Sequence, residues 1–176
     1  MQIIPVIDLK DGMVVHARQG KRDTYRPIHT DLCRSPDIFA VIEAYLGLYD
    51  FSTFYIADLN ALEHRGHHDE LIDKTAQHFS RKIFWLDQGF RMPGACRQDN
   101  IRTVWGSESF QDNTVEKVSN CRNDFILSLD YSATGSLGAK CLFANPDYWP
   151  NDIIIMTLQR VGSDSGPDME KLAGFR

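Results

Sequence analysis

Four times along this chain an apolar run closes on an aspartate: "VIDLKDG" (6–12), "FYIADLNA" (54–61), "IFWLDQGF" (83–90) and "FILSLDYS" (125–132). The runs are short and rich in β-branched and aromatic residues, which reads as strands buried on both faces. Strands are expected at 2–7, 13–17, 53–58, 83–87, 102–106, 125–130 and 153–157. Helix-like stretches stand between several of them. "SPDIFAVIEAYLGLY" (35–49) offers Ser35 as N-cap and Pro36 in the first turn. "HDELIDKTAQHFS" (68–80) puts Leu71, Ile72, Ala76 and Phe79 on one stripe, and "DNTVEKVSN" (112–120) is a shorter case. Strand–helix–strand units of this kind predict a parallel sheet covered by helices.

That architecture explains the aspartates. A carboxylate inside an apolar core is costly to desolvate unless it is paired or used. In a parallel α/β sheet or barrel, however, the carboxyl ends of the strands form the rim where ligands bind. Asp8, Asp58, Asp87 and Asp130 are therefore expected at one rim. For any one of them, capping of a helix or loop is the alternative.

Composition narrows the partners. With 176 residues, 43% hydrophobic, the chain suits a single domain spanning 1–176. A net charge of −5 argues against nucleic acid and against an anionic membrane. Trp85 and Trp105 sit inside strand runs and read as core rather than as stacking platforms for bases. The four cysteines, Cys33, Cys96, Cys121 and Cys141, form no C-x-x-C pair, so neither a zinc knuckle nor a disulfide framework is signalled. A reduced, cytosolic protein is expected, without a signal peptide or a membrane span. "HRGHHDE" (64–70) reads as a solvated loop rather than a metal site, and "GSDSG" (162–166) as a flexible turn rather than a phosphate nest.

The motifs also carry a resemblance. "IIPVIDLKDGMVVHARQG" (3–20) closely resembles the opening of the histidine-biosynthesis (β/α)8-barrel family, which includes the ProFAR isomerase and the cyclase subunit of imidazole-glycerol-phosphate synthase. The likeness continues in order: "FYIADLNA" resembles the second strand, "VWGSES" (104–109) the fourth, "LSLDYS" the fifth and "IIIMTLQRVGSDSGPD" (153–168) the sixth. The opening hairpin favours the isomerase branch. The implied fold is a TIM (β/α)8 barrel built from two similar halves, this chain covering roughly strands 1 to 6. The implied catalytic pair is Asp8 as base and Asp130 as acid, one from each half. Gly20, Asp58, Gly89, Arg91, Gly106, Ser107 and Thr157 match substrate-binding positions. The implied activity is an Amadori-type aldose–ketose rearrangement of a small phosphorylated aminosugar, with no metal and no organic cofactor.

Two departures bear on that expectation. The third strand of the isomerase ends in Gly-Gly-Gly-Ile-Arg, but here it reads Asp87-Gln88-Gly89-Phe90-Arg91, and an anionic Asp87 would repel a phosphate. The Asp-Gly that follows the sixth strand has become Val161-Gly162, with Asp164 displaced. Both suggest a paralogue with another substrate, for example in the metabolism of a pterin-type one-carbon cofactor, or a phosphoribosyl-binding barrel without turnover. The connection "MPGACRQDN" (92–100) is short for a parallel crossover, "ATGSLGAKCLFANPDYWPND" (133–152) shows no clear helix, and six strands cannot close a barrel. Segments of a longer protein are therefore expected to be missing near 91–95, near 133–146 and after 176, the alternative being a truncated or decayed copy of the barrel.

Overall fold

The computed structural model describes residues 2–91, 98–115 and 125–175. In chain order the strands are β1 (Val6–Lys10), β2 (Met13–His16), β3 (Arg26–Pro27), β4 (Thr53–Asp58), β5 (Ile83–Asp87), β6 (Ile101–Gly106), β7 (Phe125–Ser132), β8 (Gly135–Ser136) and β9 (Ile153–Thr157). β1, β4, β5, β6, β7 and β9 pair side by side, all parallel, as the repeated apolar runs predict. The fold is a mostly parallel α/β sheet of the TIM-barrel kind. Residues 92–97, inside the short connection noted above, and 116–124, which hold most of the third helix-like stretch, lie outside the described residues. So do Cys96 and Cys121. β5 and β6 still pair in parallel on either side of the short connection.

The antiparallel additions are local. β1 turns into β2 through Asp11 and Gly12, both at positive φ (49° and 76°), so the "DG" step makes the two-residue primed turn that matches strand twist. The chain then loops past Gly20 and Arg22 before β3 pairs with β2.

Helices pack on one face of the sheet. In α1 (Ile38–Leu48) the N-cap is Asp37, whose carboxylate accepts the Ala40 N–H at 3.0 Å, rather than the expected Ser35. Ser35 instead accepts the Asp37 N–H, and the Pro36 carbonyl takes the Val14 N–H at 2.8 Å. With the Pro36 carbonyl committed to β2, the cap falls on Asp37. A four-residue helix, α2 (Leu59–Leu62), follows β4, and α3 (Asp69–His78) covers the sheet with Ile72 and Ala76. Two short helices, α4 (Cys141–Ala144) and α5 (Met169–Ala173), complete the outer layer. None of these helices is long and apolar enough to cross a membrane.

Side chains alternate across the strands, and that alternation places the site. Ile7, Leu9, Phe54, Ile56, Phe84 and Leu86 face outward and join α1 and α3 in one core. Trp105, Phe125, Leu127 and Leu129 of the later strands also face outward, in a second core around Leu142 of α4. The inward residues Tyr55, Ala57, Val104 and Ile126 form a third cluster with Val15, Ala17 and Tyr25 from the opening hairpin and the loop after it. Each fully buried large side chain contributes about 1.5–3 kcal/mol, so the outer clusters anchor the strands whose inner faces carry polar groups.

Candidate active site

A cavity of about 410 Å³ opens on the inner side of the sheet at the strands' carboxyl ends. Asp8 of β1, Asp87 of β5 and Asp130 of β7 all line it. Each is on its strand's inward register, one residue away from an outward apolar neighbour: Ile7 and Leu9, Leu86, and Leu129. One wall is formed by the chain after β2, with Gly20, Arg22 and Tyr25, and by the turn after β9, with Leu158 and Gly162. These two segments meet where β1 and β9 are not paired, through Gln19 N–H donating to the Val161 carbonyl at 2.8 Å. Gly162, at φ +64°, passes so close that a β-carbon there would lie 2.0 Å from the Ala17 oxygen.

The three carboxyl groups differ in their surroundings. Asp130 is buried and held from several sides. Ser128 Oγ donates to its Oδ1 at 2.6 Å, while Oδ2 accepts the Glu108 N–H at 3.2 Å and Ser107 Oγ at 3.3 Å. Ser107 Oγ also accepts the Asp130 N–H at 2.9 Å. Gly106 makes room for this, since a β-carbon there would come within 2.8 Å of Asp130 Oδ2. Asp87 is buried; its Oδ1 accepts the Gly89 N–H at 3.0 Å and its Oδ2 accepts the Tyr55 hydroxyl at 2.9 Å. Asp8 is reached from the cavity and has no hydrogen-bond donor within reach of its carboxylate among the described residues.

These surroundings set the proton affinities. Burial pushes Asp130 up to about 7, against the Ser128 bond, and the nearby Asp87 charge adds to the rise. Burial likewise pushes Asp8 up to about 6, with Arg22 opposing and Asp87 reinforcing. Asp87 also rises to about 6 through burial, although the Gly89 and Tyr55 bonds favour its ionised form. Burial works against the Arg22 charge, but Glu108, which it meets at 2.6 Å, more than offsets this with help from Asp87 and raises its proton affinity. Near neutral pH, Asp8 is therefore mostly ionised, while Asp130 is shared between its two forms.

Other residues expected at the site are placed differently. Asp58 is fully buried and lies on the outward register with Phe54 and Ile56. Its carboxylate accepts the His68 N–H at 2.8 Å and Gln88 Nε2 at 2.9 Å, and meets His68 Nδ1 at 2.8 Å. His68 Nε2 accepts the Gly12 N–H at 2.9 Å, so the proton is on Nδ1 and points at Asp58. Asp58 thus ties the β1–β2 turn to the start of α3 instead of lining the cavity, and His68 is built into the fold rather than solvated. Thr157, outward with Ile153 and Ile155, donates to Asp168 Oδ2 at 3.1 Å. Gly89 and Arg91 line a neighbouring recess with His64, His67 and Ser109, where Arg91 pairs with Asp69 at 2.9 Å. No group of three or more His, Cys, Asp or Glu side chains among the described residues is arranged to hold a metal ion.

The histidine biosynthesis protein family has a model that matches residues 2–137 of this chain, more than half its length. The chain belongs to that family. An uncharacterized protein of Methanocaldococcus jannaschii is 31% identical over 180 aligned residues, covering 97% of this chain and 74% of that protein. The family match takes in β1 to β8, and the similarity to the archaeal protein extends to nearly the whole chain, β9 included. Members of the family are mostly isomerases or cyclases. Residues that the sequence reading passed over, Tyr55, Arg22 and Glu108, complete the cavity. Glu108 was within reach, because it directly follows the Gly106-Ser107 pair.

Proposed function

We propose that the protein is an isomerase acting by paired acid–base catalysis on a phosphoribosyl aminosugar, in the manner of ProFAR isomerase. The observation that carries this reading is the pair Asp8 and Asp130, on β1 and β7 of one parallel sheet and facing one cavity, with proton affinities displaced to about 6 and about 7. An Amadori rearrangement needs such a division of labour. Asp130, protonated, donates to the furanose ring oxygen as the C1–O bond breaks and the nitrogen lone pair forms the iminium. Asp8, ionised, removes the proton from C2. The electrons of the C–H bond form the C1–C2 double bond, giving an enolamine that tautomerises to the aminoketose. No electrons are gained or lost overall, so neither metal nor redox cofactor is required.

The neighbouring recess, which shares Leu62 and Glu108 with the cavity and contains Arg91, His64 and His67, is where a phosphoribosyl arm would extend. Asp87 favours a second reading within the same chemistry: a paralogue whose substrate differs from ProFAR, such as one in pterin-type one-carbon cofactor metabolism. Turnover of ProFAR, followed by absorbance and with direct binding measured in parallel, decides between them. Turnover lost by about 10²-fold or more in both Asp8→Asn and Asp130→Asn, with binding retained, supports the isomerase. ProFAR bound without turnover by the unaltered protein indicates a barrel that has kept the ligand and lost the reaction. Neither binding nor turnover indicates another substrate.

A further inference from the structure

We propose that the ligand end received between Asp8 and Asp87 carries a protonated amine rather than a phosphate. The third-strand turn is closed to an outside anion. The Gly89 N–H, the donor that bare backbone offers there, is already taken by Asp87 Oδ1 at 3.0 Å, and the Tyr55 hydroxyl is taken by Oδ2 at 2.9 Å. The protein's own carboxylate therefore occupies the anion position. Next to it, Asp8 presents a carboxylate to the same cavity without a donor among the described residues.

The charge balance of the lining points the same way. Asp8, Asp87, Asp130 and Glu108 face the cavity, and Arg22 is the only lysine or arginine among its described lining residues. That guanidinium is already bound to Glu108 at 2.6 Å. An entering phosphate would find no uncommitted lysine or arginine here and would add charge of the same sign to a poorly solvated space. An ammonium would neutralise part of the excess and donate to Asp8 and Asp87, whose oxygens retain free lone pairs. A metal ion would satisfy the same charge, but no three ligating groups among the described residues are arranged to hold one. The walls suit an organic cation instead, because Tyr25, Tyr45 and Tyr55 are among the side chains that line the cavity.

The inference rests on the isomerase reading in taking the ligand as the rearrangement's product, a 1-amino-1-deoxyketose whose nitrogen no longer has to supply its lone pair and can carry a proton, so its test reads binding and not turnover. Three probes differ only at carbon 1: 1-amino-1-deoxy-D-fructose, D-fructose and D-fructose 1-phosphate. Titrated calorimetrically into the full chain at pH 8, where the acids are ionised, the amine should bind about tenfold or more tightly than the neutral sugar, and the phosphate most weakly. In Asp87→Asn, shown by its thermal unfolding to be folded, the preference for the amine over the neutral sugar should shrink several-fold. A phosphate that binds as well as the amine, an amine that does not bind, or a preference unchanged in Asp87→Asn overturns the proposal. Amine selectivity without any isomerase turnover would remove the catalytic reading and leave this one standing, and ProFAR turnover with phosphate selectivity would do the reverse.

Discussion

Replacing Asp87 with asparagine should stabilise the protein at alkaline pH and leave it unchanged in acid. Asp87 is 7% exposed, and its carboxyl is raised from 3.8 to about 6, mainly by burial. A group whose folded-state value lies above its unfolded value favours the fold only while it is protonated. That contribution is complete below the unfolded value near 4 and is lost as pH rises through the folded value near 6. A displacement from 3.8 to about 6 corresponds to about 3 kcal/mol above both values. Asparagine removes this penalty and keeps the local geometry. Its carbonyl oxygen can accept the Gly89 N–H, and its amide can donate to the Tyr55 oxygen, although the buried Tyr55 O–H then gives up its acceptor and this reduces the gain. Loss of the attraction to Arg22 takes back a part, so a net gain of roughly 1–3 kcal/mol at pH 8 is expected, shrinking to nearly nothing at pH 4. Urea unfolding of both proteins at pH 4, 6 and 8 measures it, with the denaturant slope as a check that the unfolded state is unaltered. A variant less stable at pH 8, or a difference that does not change with pH, would refute the argument from burial.

Other consequences follow from the same geometry. If Asp8 is the base and Asp130 the acid, the rate should rise through about pH 6 and fall through about pH 7; the Asp87→Asn change should move both limbs to lower pH, read as pair-level apparent values in a pH–rate series. Gly106→Ala should cut turnover by about 10-fold or more with little loss of binding, because its β-carbon would press on Asp130 Oδ2 from 2.8 Å; steady-state kinetics separates the two effects. His68→Ala should lower stability by about 2–3 kcal/mol by depriving buried Asp58 of its imidazole partner and Gly12 of its acceptor, and Asp58→Asn should cost at least as much, because both Asp58 oxygens accept N–H donors and an amide nitrogen would face two of them; thermal melts of the pair check this.

The sequence by itself determined the strands and their direction. Apolar runs too short for helices and buried on both faces have few options other than a covered parallel sheet, and six of the seven expected runs overlap the six parallel strands. The run at 2–7 meets β1 only at Val6 and Ile7, and the run at 13–17 is the antiparallel arm of the opening hairpin. The "DG" turn was equally legible, because two successive positive φ angles suit few other residues. The sequence also contained the alternation that sorts the aspartates, although it was not used: Asp58 shares the parity of Phe54 and Ile56, while Asp87 shares that of Trp85. Reading the four together as one rim overlooked that a single residue's shift along a strand reverses the face.

Tertiary structure alone decided the rest. Which carboxylates meet depends on the curvature of the sheet, which brings β1 and β7 to one cavity across more than a hundred residues of chain. Asp87 is paired with Tyr55, and with the backbone of its own turn, by a parallel register that no local pattern encodes. The proton affinities arise from desolvation, a property of everything packed around a group rather than of its neighbours in sequence. The chain could therefore announce that it carries strand-end acids, but only their common burial gives three of them the altered proton affinities on which the proposed function rests.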